Sequence, residues 1–221
     1  QIGGCLQCFR RGDVVFDTGM HYIGSDDSGQ TLHTILHYLG IDTNIQLARL
    51  NPAGYDVISF QGEHYQFANG KERFVDTLAQ QFPDSREELN RYYDLVKCVA
   101  AASAMHSLNK TVDLNINTEY QMRSVNEVIE SVISNSILRE VLVGILPLYA
   151  GEKDRTPFST HALITDCYNQ SAFRIVGGSN IVAESLASII KSMNGNVFVR
   201  HKAQKIECDE THATAVITTD G

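Results

Sequence analysis

An α+β fold is what this sequence predicts, and three observations predict it. Short runs of strand length cluster at residues 45–67 and again at 196–218. Between the clusters, apolar residues recur every three or four positions, the period of a helix with one buried face. Apolar residues make up 43% of the 221, enough to build a core and too many for a disordered chain.

The elements follow in order. Val14-Val15-Phe16 reads as a short strand. Residues 31–39 read as a helix stopped by Gly40, the residue that most easily turns left-handed past a helix end. Residues 45–50, 55–60 and 64–67 read as strands, and Gln61-Gly62 turns the last two into a hairpin. Asn69-Gly70 leads into a helix carrying Phe74, Leu78 and Phe82 on one face, with Pro83 ending it. Residues 84–108 read as the longest helix, with Ser85 and Glu88 at capping-box spacing and Leu89, Tyr92, Val96 and Val99 on its inner face. Ser124 and Glu127 form a second capping box, ahead of Val128, Ile129, Val132 and Ile133. Residues 138–148 are apolar almost all round, which fits either full burial or the lining of an apolar cavity. Gly177-Gly178 precedes a helix at 179–193, closed by Gly195. Strands are expected at 196–200, 203–208 and 213–218. Asp220-Gly221 is a hairpin-turn dipeptide with no second strand behind it, and the sequence has no starting Met. Both ends therefore read as cut from something longer.

Charge narrows the partners. Lys and Arg number 18 against 26 Asp and Glu, a net charge of −8 with no dense basic run. That sign argues against nucleic acid, and against a polybasic grip on an anionic membrane. The longest apolar run, 141–150, is far short of the ~20 residues a spanning helix needs. Five scattered cysteines (Cys5, Cys8, Cys98, Cys167, Cys208) suit reduced thiols in a cytoplasm better than a disulfide framework.

Motifs for chemistry are sparse. Cys5-x-x-Cys8 is either half a zinc site or a coincidence in a loop, and no second pair completes four ligands. His33 and His37 share one helix face, but Thr34 stands where a metalloprotease has its glutamate. No metal is expected. There is no G-x-S-x-G, no P-loop and no G-x-G-x-x-G. Gly177-Gly178 before a helix is either an anion cradle or a tight turn.

Three stretches, in order, carry a resemblance. "IGGCLQCF", continuing through "GDVVFDTGMHYIG", resembles the segment just after the nucleotide-binding unit of the flavin-dependent phytoene desaturase, carotenoid isomerase and retinol saturase family. "GGSNIVAESLASIIKSMNGNVFVRHKAQKIECDETHATAVITTDG" is similar to that family's Gly-Gly, helix, Gly, strands and Asp-Gly. "PFSTHALI" at 157–164 is most similar to retinol saturases.

The resemblance implies an oxidoreductase with a mixed sheet and helices. Residues 1–28 and 171–221 would be pieces of an FAD-binding domain, and 29–170 a substrate-binding domain. FAD would serve the intact protein, but these residues alone would not hold it tightly without G-x-G-x-x-G. The substrate would be an apolar polyene or isoprenoid-like molecule, desaturated, saturated or isomerised at carbon–carbon bonds. Peripheral membrane contact by the intact protein fits that substrate class. Gly3 and Gly4 would approach the pyrophosphate. Gly19, Met20 and His21 would lie beside the flavin ring. The backbone of Ala203, where Val is usual, would meet the adenine. His21 is either an acid–base group or structural, and no catalytic residue is assigned. Two alternatives stay open: an amine oxidase of the same superfamily, and a non-catalytic lipid- or partner-binding module.

Overall fold

The structure is a computed structural model that describes residues 2–219, so the Asp220-Gly221 turn lies outside the described residues. In chain order its strands and helices are β1 (Cys8–Arg11), β2 (Val14–Asp17), α1 (Thr31–Tyr38), β3 (Leu47–Arg49), β4 (Asp56–Phe60), β5 (Glu63–Phe67), α2 (Lys71–Ala79), α3 (Arg86–Ala101), α4 (Ala104–Ser107), α5 (Leu114–Gln121), α6 (Val125–Val132), α7 (Ser136–Val143), α8 (Phe158–Gln170), β6 (Phe173–Ile175), α9 (Asn180–Ser192), β7 (Ala203–Cys208) and β8 (Ala213–Thr218). The α+β class holds. The mixed sheet does not: among the described residues each strand has one antiparallel partner, in the pairs β1–β2, β3–β6, β4–β5 and β7–β8. The chain divides into two compact units, Met20–Val176 and Gln1–Gly19 with Gly177–Gly221.

The Met20–Val176 unit holds the large core. Phe67, Phe74, Leu78, Leu89, Tyr92, Ile129, Leu138 and Phe158 are almost completely buried in it. The β4–β5 hairpin forms as expected. Gln61 (φ 52°) and Gly62 (φ 86°) are both left-handed, the two-residue turn whose twist matches antiparallel strands. Tyr65 and Phe67 then alternate into the core. Phe82 is buried but lies past the end of α2, where it stacks on Tyr65 at 5.5 Å.

The long helix at 84–108 is interrupted. Pro83–Ser85 is a 3-10 turn, α3 stops at Ala101, and Ser103 restarts the chain by capping α4 through the His106 N–H. Ser85 makes no capping bond, and Glu88 Oε2 accepts the Ser134 N–H at 3.0 Å instead. The Glu88 carboxylate is shared between the Ser85 side chain and a tertiary partner, and the reciprocal box does not close.

The second capping box closes. Ser124 Oγ accepts the Glu127 N–H at 3.2 Å, and Glu127 Oε2 accepts the Ser124 N–H at 2.8 Å. Ser124→Ala is expected to cost about 1 kcal/mol in urea unfolding, and an unchanged midpoint would show that the box is absent in solution.

The apolar segment at 138–148 buries one face, not its whole circumference. Leu138, Val141, Leu142 and Ile145 are at most 1% exposed, whereas Arg139 and Glu140 are half-buried and Pro147 is exposed. Neither reading holds as made: the segment is buried on one face only, and the apolar cavity of this unit is lined by other residues. Residue 144, the C-cap of α7, has no room for a side chain, because a Cβ there would lie 2.6 Å from Cγ2 of Ile58 in β4.

Strand β6 was not expected. It pairs with β3 (Leu47↔Ile175, Arg49↔Phe173), and Ile23 exchanges two backbone hydrogen bonds with Phe173 at 2.8 Å each. These bonds tie residues 20–28 and 171–176 to the middle of the chain. The division accordingly falls after Gly19 and Val176.

In the other unit, β1 pairs with β2, with Phe9 stacked on Phe16 at 5.4 Å. Helix α9 ends at Ser192 and is closed by the left-handed Asn194 (φ 63°), not by Gly195. The Gly195 N–H reaches back to the Ile190 carbonyl at 2.8 Å. Asn is the residue after Gly that best tolerates the left-handed turn of a helix end. Residues 196–200 form no strand. They find no ladder partner among the described residues, and Arg200 (φ 67°) breaks the extended path.

Candidate functional site

In the smaller unit, the start of α9 joins two stretches far apart in sequence. Asp17, ending β2, accepts the Ser179 N–H at 2.7 Å and the Cys8 thiol at 3.2 Å. Cys8 Sγ also lies 3.1 Å from Asn180 Oδ1, and the Ser179 hydroxyl donates to the Leu6 carbonyl at 3.1 Å. A Cβ on Gly178 (φ 104°) would stand 3.1 Å from Cys8 Sγ and 3.0 Å from Asn180 Oδ1. The glycine pair is thus a tight turn required by packing. The anion at this positive helix end is the chain's own Asp17 carboxylate. Cys8 is engaged in this cluster while Cys5 is exposed. No group of three or more metal-capable side chains forms among the described residues. His33 and His37 face separate carboxylates, Asp26 at 3.7 Å and Asp42 at 2.8 Å.

Gly3 (φ 110°) and Gly4 (φ 52°) are both left-handed and open the 3-10 turn Gly4–Leu6. A Cβ on Gly3 would press on Ala183 of α9 at 3.1 Å, whereas Gly4 faces open space. That open, side-chain-free backbone fits the close approach of a dinucleotide phosphate. Gly19 is not left-handed, and a Cβ there would meet only the Cys5 carbonyl, at 3.7 Å. The fold itself therefore does not require glycine at 19. Ala203 begins β7, exposed, and its strand has only β8 beside it among the described residues. Met20 and His21 belong to the Met20–Val176 unit. Arg174 holds their backbone by donating to both carbonyls, and the His21 residue is exposed.

That same unit contains an apolar cavity of about 210 Å³, lined by Tyr22, Ile23, Gly24, Leu32, Ile164, Cys167 and Tyr168. Its aromatic wall is fixed. Tyr22 meets Tyr168 edge-on at 4.5 Å and donates to Asp56 Oδ2 at 2.6 Å. Burial, with Asp56, raises the Tyr22 pKa, so the hydroxyl stays protonated. Gly24 passes backbone to backbone over the end of α8. A larger cavity of about 350 Å³ has Asp26, His33 and Asp42 in its wall. Volume favours the second, but lining favours the first for an apolar ligand, because filling the second would strip water from two carboxylates.

Two buried histidines lie on or against α8. His161, completely buried, sits between the Tyr92 hydroxyl (2.8 Å from Nε2) and the Tyr149 hydroxyl (2.7 Å from Nδ1). Burial pushes its pKa down to about 3, so the ring is neutral, donating to one tyrosine and accepting from the other. His106, from α4, points Nε2 at Asp166 Oδ2 (2.8 Å) and Nδ1 at Cys167 Sγ (3.5 Å). Gln170 also donates to Asp166, at 2.6 Å. The hydrogen bond to Asp166 first, and that to Cys167 second, raise the His106 pKa to about 9. This Cys–His–Asp group was missed from sequence. The adjacency Asp166-Cys167 was visible, but nothing in the spacing ties it to a histidine 60 residues earlier.

These left-handed glycines, the glycine turn at α9 and the apolar cavity lie in a chain that matches a flavoprotein family along its length. The chain belongs to the flavin-containing amine oxidoreductase family, whose model matches residues 1–221. Membership implies FAD as the cofactor of the intact protein. Within the family the chain is similar to all-trans-retinol 13,14-reductases: 26% identical to that of Homo sapiens and 28% to that of Rattus norvegicus, each over 95% of this chain, and 29% to that of Danio rerio over 93%. The chain spans 37% of the length of each of these relatives. An inactive all-trans-retinol 13,14-reductase of Danio rerio is 20% identical. No described helix is long and apolar enough to cross a membrane.

Proposed function

We propose that the intact protein is an FAD-dependent oxidoreductase acting on a carbon–carbon double bond of an apolar, retinoid-like molecule. The observation that carries this reading is the similarity to retinol reductases along 93–95% of the chain. The apolar cavity supports it. Bound FAD would supply the hydride chemistry. The residues of this chain bind and shield. The Gly3-Gly4 backbone would hold the pyrophosphate, the Ala203 backbone would meet the adenine, and Gly19, Met20 and His21 would lie beside the flavin ring. Residues 29–170, within the Met20–Val176 unit, are the substrate-binding part. In that unit Tyr22 and Tyr168 hold one end of the apolar substrate and exclude water from it. A cavity of about 210 Å³ suits an end rather than a whole polyene.

The test uses protein from the complete coding sequence, with all-trans-retinol, its dihydro product and a set of amines offered anaerobically. Flavin absorbance and product mass are followed. Retinoid conversion coupled to a flavin redox change is expected. Turnover of amines alone would replace this reading by the amine oxidase. Bound flavin with no turnover of either class would leave a non-catalytic binding module.

Gly19→Val probes the ring assignment. The fold tolerates a side chain there, so stability should change by no more than about 0.5 kcal/mol. A branched side chain against the ring should weaken flavin binding at least about tenfold. Normal flavin content and turnover in the variant would remove Gly19 from the site.

A further inference from the structure

We propose that Cys167 is an activated thiol that forms a covalent adduct with apolar α,β-unsaturated carbonyl compounds entering the cavity bounded by Tyr22, Leu32, Ile164 and Tyr168. The proposal does not depend on flavin. Three features of the Met20–Val176 unit meet at this sulfur. Cys167 lines the apolar cavity and is only partly buried. His106 Nδ1 stands 3.5 Å from its Sγ, and the opposite nitrogen is held by Asp166 at 2.8 Å. Asp166 is itself fixed by Gln170, and the His106–Asp166 pair is almost fully buried, so the imidazole cannot turn away. A base oriented by a third group beside a nucleophile is the arrangement that activates thiols.

The cavity selects the electrophile. Its walls reward an apolar body, and they offer no carboxylate or ammonium for a charged ligand. A soft sulfur nucleophile prefers the β-carbon of an enone or enal. In the step, Cys167 Sγ bonds to that β-carbon and the carbon–carbon π pair shifts toward the α-carbon and carbonyl oxygen. His106, already protonated, gives its Nδ1 proton to the α-carbon as the bond forms and takes up the thiol proton in exchange, ending as it began. The product is a saturated thioether. No bond is left open, and no oxidant or reductant is consumed.

The chain carries its own controls, because Cys5, Cys98 and Cys208 are exposed. The protein is treated with substoichiometric 3-octen-2-one, an apolar enone, and each cysteine peptide is quantified by mass spectrometry. Iodoacetamide serves as the polar comparison. Cys167 is expected to take the enone at least about tenfold faster than the three exposed thiols, with a smaller preference toward iodoacetamide. His106→Gln should abolish the enone preference. Asp166→Asn, which keeps a hydrogen-bonding partner for His106, should reduce it and serves where the His106 variant fails to fold. A purely structural Asp166–His106 pair beside an inert half-buried thiol makes Cys167 the slowest cysteine. That result, or equal enone labelling in a folded His106→Gln or Asp166→Asn variant, overturns the proposal.

Discussion

Replacing His161 with alanine should lower stability by about 4 kcal/mol, the largest single effect expected in this chain. The ring is completely buried and packs 5.7 Å from Phe158, centroid to centroid. Truncation leaves a void that close-packed neighbours fill only in part. It also strips the Tyr92 and Tyr149 hydroxyls of their shared partner. Each buried hydroxyl left unpaired costs about 1–3 kcal/mol. The chain has no tryptophan, so urea unfolding is best followed by far-UV circular dichroism. A loss below about 1 kcal/mol would show that His161 is not buried between the tyrosines.

The same residue sets the acid limb of stability. The folded pKa of His161 is depressed to about 3, whereas an unfolded histidine titrates near 6.5. Below about 6.5 the unfolded chain therefore binds a proton that the folded chain does not. Stability should fall by about 1.4 kcal/mol per pH unit from there toward pH 3. His106 acts in the opposite window. Its folded pKa is raised to about 9, so its contribution is complete below about 6.5 and is lost as pH rises through 9. Both belong to the Met20–Val176 unit, whose stability should peak near pH 6.5. His161→Gln should flatten the slope between pH 6.5 and 5, above the range where ordinary carboxylates titrate. An unchanged slope in that variant would assign the acid sensitivity elsewhere.

Gly24→Ala should cost about 3 kcal/mol although it adds one methyl group. The new Cβ would lie inside van der Waals contact with the Cys167 carbonyl oxygen and 2.5 Å from that of Ser171. Both obstacles are backbone at the end of α8, so no side chain can swing aside. The chain at 23–25 must move, and with it the Ile23–Phe173 bridge and one wall of the apolar cavity. Thermal and urea midpoints read the loss. A wild-type midpoint would mean that the close crossing does not exist in solution.

Gly24 shows where sequence reading ends. The motif "GDVVFDTGMHYIG" ends on it, but nothing there marks the close crossing, because the atoms Gly24 must avoid come from residues 167 and 171. The same holds for β6. Phe173–Ile175 is three residues long, and it is a strand only because β3 and Ile23 supply its hydrogen bonds. The break in the helix at 84–108 was also hidden, since its apolar period runs on to Ala100 without a glycine or proline to mark the end. Ser85 and Glu88 had the right spacing, but the carboxylate also serves Ser134 and Ser85 makes no capping bond.

What the sequence determined by itself is local chemistry and family. Gln61-Gly62 made a hairpin because two left-handed residues in a row leave few other paths. Gly40 (φ 68°) ended α1, and Ser124 with Glu127 began α6, because the interacting atoms lie within four residues of one another. The ordered motifs around Gly3-Gly4, residues 157–164 and Gly177-Gly178 pointed to a flavin oxidoreductase family. Only the tertiary structure decided that Asp17 caps α9, that Tyr92 and Tyr149 share His161, and that His106 reaches Asp166 and Cys167. Those partners are separated by 12 to 162 residues, and only folding brings such groups within hydrogen-bond reach.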